Sequence, residues 1–154
     1  MKEVTGDLVD MLHWREFDVG IHGCNCFHHM KSGIAKSMVD TFPGVAEADL
    51  YESVYANEEK LGSFTSRTFT GDLLGDVTII NAYTQFTYSR TKMVADYDAI
   101  RRVFRRIKLI FGGQELTFGI PKIGAGLAGG DWEVISKIIE EEMEGEDLTL
   151  VVLW

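Results

Sequence analysis

The sequence predicts an α/β domain, an open sheet with helices packed on it, and three observations predict it. A strand, a glycine-bearing turn and a helix start follow one another twice, over 17–42 and over 116–143. Apolar runs of strand length at 76–83 and 148–153 are interleaved with segments of helical spacing, the clearest at 96–111. The richest turn, Ile120-Pro121-Lys122-Ile123-Gly124-Ala125-Gly126-Leu127-Ala128-Gly129-Gly130-Asp131-Trp132, sits between an apolar run and a periodic one. Glycines let backbone approach a ligand closely, and free N–H groups in such a turn or at a helix start suit a phosphate.

With 154 residues, 45% of them hydrophobic, the chain is long enough for one buried core and too short for two ordinary domains, so a single domain over 1–154 is expected. The chain has neither an opening basic-then-apolar signal nor an apolar run of about 18 residues, and a soluble cytoplasmic protein is the expectation, with no membrane partner. Cys24 and Cys26 stand one residue apart, cannot staple a scaffold, and read as reduced thiols. Against 15 basic side chains stand 24 acidic ones, for a formal charge of −9. Such a surface is not built to neutralise a nucleic-acid backbone, so an anionic ligand must be held by local amides.

Taken in order, residues 4–9 begin as an edge strand and break at Gly6-Asp7 into a turn or helical turn, where Asp7 serves as an N-cap or as a rim carboxylate for an exocyclic amine. Residues 17–25 are a buried strand approaching a polar end. The helix that follows carries Ile34, Met38, Val39 and Phe42 and stops at Pro43-Gly44. An amphipathic helix is expected over 45–56, its acidic face (Glu47, Asp49, Glu52) solvated, then a polar connection over 57–63. Strands over 65–70 and 76–83 suggest a hairpin around 71–75.

The stretch 84–95, with Gln85, Phe86, Tyr88, Arg90 and Lys92, reads as a long loop of the kind that closes over ligands. In the helix at 96–111, Ile100, Val103, Phe104, Ile107 and Phe111 form one stripe. The opposite face holds Arg101, Arg102, Arg105, Arg106 and Lys108, a solvated face paired with neighbouring acids, not a nucleic-acid surface. A strand at 115–123, a helix at 131–143 capped by Asp131, and a strand at 148–153 complete the chain.

Two tempting motifs fail on their surroundings. Gly124-x-Gly126-x-x-Gly129 lacks the following βαβ unit and the acidic residue that a dinucleotide fingerprint needs. His22-x-Cys24-x-Cys26-x-His28-His29 offers metal-ligand types, but alternation along a strand sets them in a row on one face, poor for closing a tetrahedron. No metal site is expected.

Gly6-Asp7-Leu8, His22-Gly23-Cys24-Asn25-Cys26, Ser32-Gly33-Ile34-Ala35 and Pro121 to Leu127 with the Trp132-Glu133 helix start together resemble the macrodomain family, in register over nearly the whole chain. Within it the sequence looks closest to the ADP-ribose 1″-phosphate phosphatases and the terminal ADP-ribose protein glycohydrolase. The resemblance implies a three-layer α/β/α fold with a mixed central sheet and an ADP-ribose cleft; no cofactor is expected, and a monomer is. Its partner would be ADP-ribose, ADP-ribose 1″-phosphate or an ADP-ribosylated protein. Gly6, Asp7 and Leu8 would then meet adenine and Asn25 the distal ribose. Ser32, Gly33, Ile34 and Ala35 would embrace the diphosphate with Gly124, Ala125, Gly126, Leu127 and Ala128, and Pro121 and Ile123 would be further ligand-binding residues.

Tyr83 and the final Trp154 are further ligand candidates, Trp154 by stacking on adenine or else by closing the core. His22 would act as base or nucleophile in phosphate monoester hydrolysis, with Asn25 positioning the ribose and His28 and Asp131 as acid and base. The alternatives are a satisfied core histidine, a surface histidine and a helix cap. Departures from the glycohydrolase pattern are also present. Gln85 stands where those enzymes carry a lysine and Ala128 where they carry an aspartate, and an amide offers no nucleophilic amine. Ala35 is nearest to the loop acid of the protein-deribosylating macrodomains. A non-catalytic reader and an O-acyl-ADP-ribose deacylase are the alternative functions.

Overall fold

The computed structural model describes residues 1–89 and 91–153. Six strands, β1 (Lys2–Thr5), β2 (Val19–Cys24), β3 (Phe64–Gly71), β4 (Gly75–Tyr83), β5 (Thr117–Ile120) and β6 (Asp147–Val152), form one sheet in the order β1-β6-β5-β2-β4-β3. All pairings are parallel except the β3–β4 hairpin, so the sheet is mixed, as expected. Five α-helices cover it: α1 (Leu8–His13), α2 (Gly33–Thr41), α3 (Gly44–Tyr51), α4 (Tyr97–Phe111) and α5 (Trp132–Glu142).

Strand alternation assigns the two faces. Val19 and Ile21 of β2 and Ile80 and Ala82 of β4 join the core beneath α4 and α5, with Ile100, Phe104, Ile107 and Ile135. Cys24, Val77, Ile79 and Tyr83 join a second core beneath α1, α2 and α3, with Leu12, Met38 and Val45. Three layers result. Gly20 of β2 is required by this packing, since a Cβ there would come within 2.4 Å of Leu12 Cδ1.

Three of the five cations on the basic face of α4 are paired with acids: Arg101 reaches Glu141 and Glu142 of α5, Arg105 reaches Glu142, and Arg102 reaches Asp98. The segment 45–56 corrects the reading. Its helix ends at Tyr51, and Asp49 is not on a solvated face but buried, 2.9 Å from the buried Lys60. Of the two alternatives at Gly6-Asp7, a turn or a helical turn, the structure has the helical one, the short α1, with Asp7 as its N-cap accepting from Val9 and Asp10 N–H groups.

Candidate functional site

Because β5, β2 and β4 are adjacent and parallel, the loops leaving their carboxyl ends emerge side by side. Those loops are 25–32, 84–96 and 121–131, and they enclose a cavity of about 650 Å3. Its wall on one side is Ser32, Gly33, Ile34 and Ala35; on the other it is Pro121, Lys122, Ile123, Gly124, Gly126, Leu127 and Ala128. The two glycine bends, far apart in sequence, thus face one space, and a Cβ on Gly33 would stand 3.8 Å from Leu127 Cδ1.

Backbone conformation explains the glycines. Gly33, Gly124 and Gly129 have φ of 60°, 74° and 73°, which a side chain would strain. The second bend is closed by Gly130 N–H donating to Gly124 O at 2.7 Å, and Val94 and Ala95 N–H groups donate to Ala128 O. These last two bonds tie the 84–95 loop to the bend. Gly33, Ile34 and Ala35 form the first turn of α2, where amides have no intrahelical acceptor, and the Ser32 side chain does not cap them. The amides of Gly126 and Leu127 likewise have no acceptor among the described residues. Both walls therefore carry donors free for an anion.

Asn25 lies at the cavity but braces its own loop. Its Oδ1 accepts from Phe27 N–H at 2.9 Å and His29 N–H at 3.4 Å, and its Nδ2 donates to His29 O at 2.8 Å. One amide hydrogen remains for a ligand. His29 stacks on Tyr88, ring centroids 4.1 Å apart and planes 11° from parallel, which joins the β2 loop to the β4 loop at the cavity wall. Gln85 also lines it and donates through Nε2 to Thr87 O. Among the described lining residues there is one ammonium, Lys122, and no Asp or Glu.

Several expected site residues are placed elsewhere. His22 is fully buried on the α1–α3 face; its Nε2–H donates to Asn81 Oδ1 at 2.7 Å, and burial lowers its pKa although that bond opposes the shift. Its burial and its bond to Asn81 are those of the core-histidine alternative, and it does not line the cavity. Tyr83 is buried as well, donating to Asp49 Oδ1 at 2.7 Å and bonded to Thr65. Asn81 Nδ2 donates to Val45 O and Thr65 Oγ1, so His22, Asn81, Thr65, Tyr83, Asp49 and Lys60 form one buried polar chain under the sheet.

His28, at φ 55°, packs against Tyr55 and Ser53, away from the cavity lining, and burial lowers its pKa. Asp131 caps α5 by accepting from Glu133 N–H, and it borders a separate surface hollow with Arg101 and Lys137. Gly6, Asp7, Leu8 and Ala125 do not line the cavity. Trp154 lies outside the described residues, as does Arg90. Tyr88, named in the loop expected to close over ligands, does line the cavity, whereas Lys122, His29 and Ser89 were not singled out as lining residues. For Lys122 a signal was available: its place next to Pro121 at a strand end.

Among the described residues no three His, Cys, Asp or Glu side chains gather as a metal site, and no helix is long and apolar enough to cross a membrane. Cys24 and Cys26 are free and buried; burial pushes the Cys24 thiol well up and Cys26 to about 11.

No family model matches the sequence. The macrodomain of Mycobacterium tuberculosis DarG superimposes with a TM-score of 0.76 at 20% identity, over 99% of this chain and 97% of that one. A Trypanosoma brucei macrodomain in complex with ADP-ribose gives 0.65 at 14% identity, over 98% of this chain and 62% of that one. The fold is the macrodomain fold. In sequence, an uncharacterized 17.5 kDa protein of the tk-vs intergenic region of Enterobacteria phage T4 is 30% identical over 98% of this chain and 95% of its own length. The chain belongs to one family with that phage protein.

Proposed function

We propose that this protein binds ADP-ribose and its derivatives, with the diphosphate held between the two glycine bends. The cavity carries the reading. Its volume of about 650 Å3 is in the range of small-molecule sites, and unpartnered amides stand on both walls. A chain with 24 acidic side chains brings none among its described residues to the lining, where a carboxylate would repel a diphosphate. The ADP-ribose held by the Trypanosoma brucei macrodomain supports the same ligand here.

Recognition, not turnover, is the function this geometry supports best. Removal of the 1″-phosphate from ADP-ribose 1″-phosphate requires a base or nucleophile in reach of the phosphorus. His22 is sealed in the core, His28 packs on Tyr55, and Asp131 caps a helix. Glycohydrolysis through a lysine adduct has an amide, Gln85, at the corresponding position. Calorimetry with ADP-ribose is the test: saturable binding is expected, and no heat at millimolar ligand ends the proposal. In parallel, ADP-ribose 1″-phosphate is expected to remain intact. Phosphate release from it would replace the reader with a phosphatase.

A further inference from the structure

We infer that Lys122 is the phosphate counter-charge of the cavity, a specificity-determining residue that selects phosphate-bearing ligands over neutral nucleosides. The inference rests on the binding function proposed above.

Seven other lysines and arginines of the described chain sit within 4.0 Å of a carboxylate: Lys2, Lys36, Lys60, Arg67, Arg101, Arg102 and Arg105. About half of the 15 lysines and arginines are therefore engaged by carboxylates within the fold. Lys122 has no such partner among the described residues, although acids outnumber bases 24 to 15. It is also the one Lys or Arg among the described lining residues of a cavity whose described lining contains no acid.

Its backbone is fixed where the ligand would pass. Lys122 stands two residues after β5, between Pro121, whose carbonyl accepts from Ile123 N–H at 2.8 Å, and the second glycine bend, whose Ala125 N–H donates to Lys122 O at 3.2 Å. Main-chain amides supply directed hydrogen bonds but only partial charge, whereas an ammonium supplies a full unit that the net charge of −9 does not provide elsewhere. The two devices complement each other: the bends orient the diphosphate, and Lys122 compensates its charge.

Calorimetry of the full chain with two probes, ADP-ribose and inorganic pyrophosphate, tests this, using Lys122→Gln, Lys122→Arg and the remote control Lys137→Gln. Lys122→Gln is expected to weaken both probes about tenfold, the order for one lost charge-assisted hydrogen bond, and to flatten the salt dependence of binding. Lys122→Arg should keep affinity within about threefold and Lys137→Gln should leave it unchanged. Thermal melts of all three variants matching the parent would exclude a folding defect. Parent binding that Lys122→Gln leaves within twofold overturns this inference and spares the binding function. No binding of ADP-ribose by the parent overturns both.

Discussion

Replacing Gly126 and Gly124 in turn by alanine separates ligand contact from backbone strain within one bend. A Cβ on Gly126 would meet nothing within 4 Å, and its φ lies outside the left-handed region, so Gly126→Ala should stabilise the fold by about 0.4–1 kcal/mol through the smaller freedom of the unfolded chain. The same methyl would stand on a residue that lines the cavity, where backbone must come close to the diphosphate. Loss of one amide contact to a charged group is worth about 1.5–3 kcal/mol, so ADP-ribose affinity should fall about tenfold or more.

Gly124→Ala reverses the pattern. Its φ of 74° costs an L-residue about 1–2 kcal/mol, and the new Cβ would lie 3.1 Å from Ile135 Cδ1 and 3.4 Å from Ala95 Cβ. The smaller freedom of the unfolded chain returns about 0.4–1 kcal/mol. A net loss of about 1 kcal/mol should lower Tm by about 3 °C. Differential scanning calorimetry and titration calorimetry read the two quantities. A Gly126→Ala protein that binds as tightly as the parent, or that melts lower than Gly124→Ala, would refute the placement of the ligand against this bend.

Three further outcomes are expected. Asp49→Ala leaves Lys60 buried without its counter-ion and removes the acceptor of Tyr83, so denaturant titration should show a loss of about 3–5 kcal/mol. Because burial lowers the pKa of His22 below its unfolded value of 6.5, the unfolded chain takes up the proton first. Stability is complete above about pH 7 and falls as pH drops through 6.5, by up to about 1.4 kcal/mol per pH unit from this group. A His22→Gln protein melted across pH 5–8 should lose that part of the slope. The thiols of Cys24 and Cys26, buried and raised, should resist a thiol reagent at pH 7.5 in the folded protein and both react in denaturant; rapid labelling of the native chain would contradict their burial.

The sequence made the convergence of the glycine bends legible because each bend follows a buried strand and precedes a helix, and neighbouring parallel strands leave such loops no other side. The hairpin and the Arg-bearing face of α4 were legible from turn residues and from helical spacing alone. What was not legible depended on partners far along the chain. His22 and Cys24 share a face by alternation, yet only the helices laid over that face decide that it is interior. Asp49 reads as solvated because carboxylates usually are, and its exception needs Lys60 and Tyr83 brought from a connection and from the central strand. Asp131 and Asp7 are polar residues before periodic segments, for which capping and ligand contact leave the same local signature.

The pairing of β1 with β6 sets Lys2 opposite Thr149 and Thr5 opposite Val152. Of the six strands, the one earliest in sequence therefore takes the one latest in sequence as its neighbour, and it stays unpaired while the middle of the sheet assembles. Loop-closure entropy makes such distant pairing late and slow, so the β1–β6 edge should be the last part of the sheet to gain protection from hydrogen exchange during refolding.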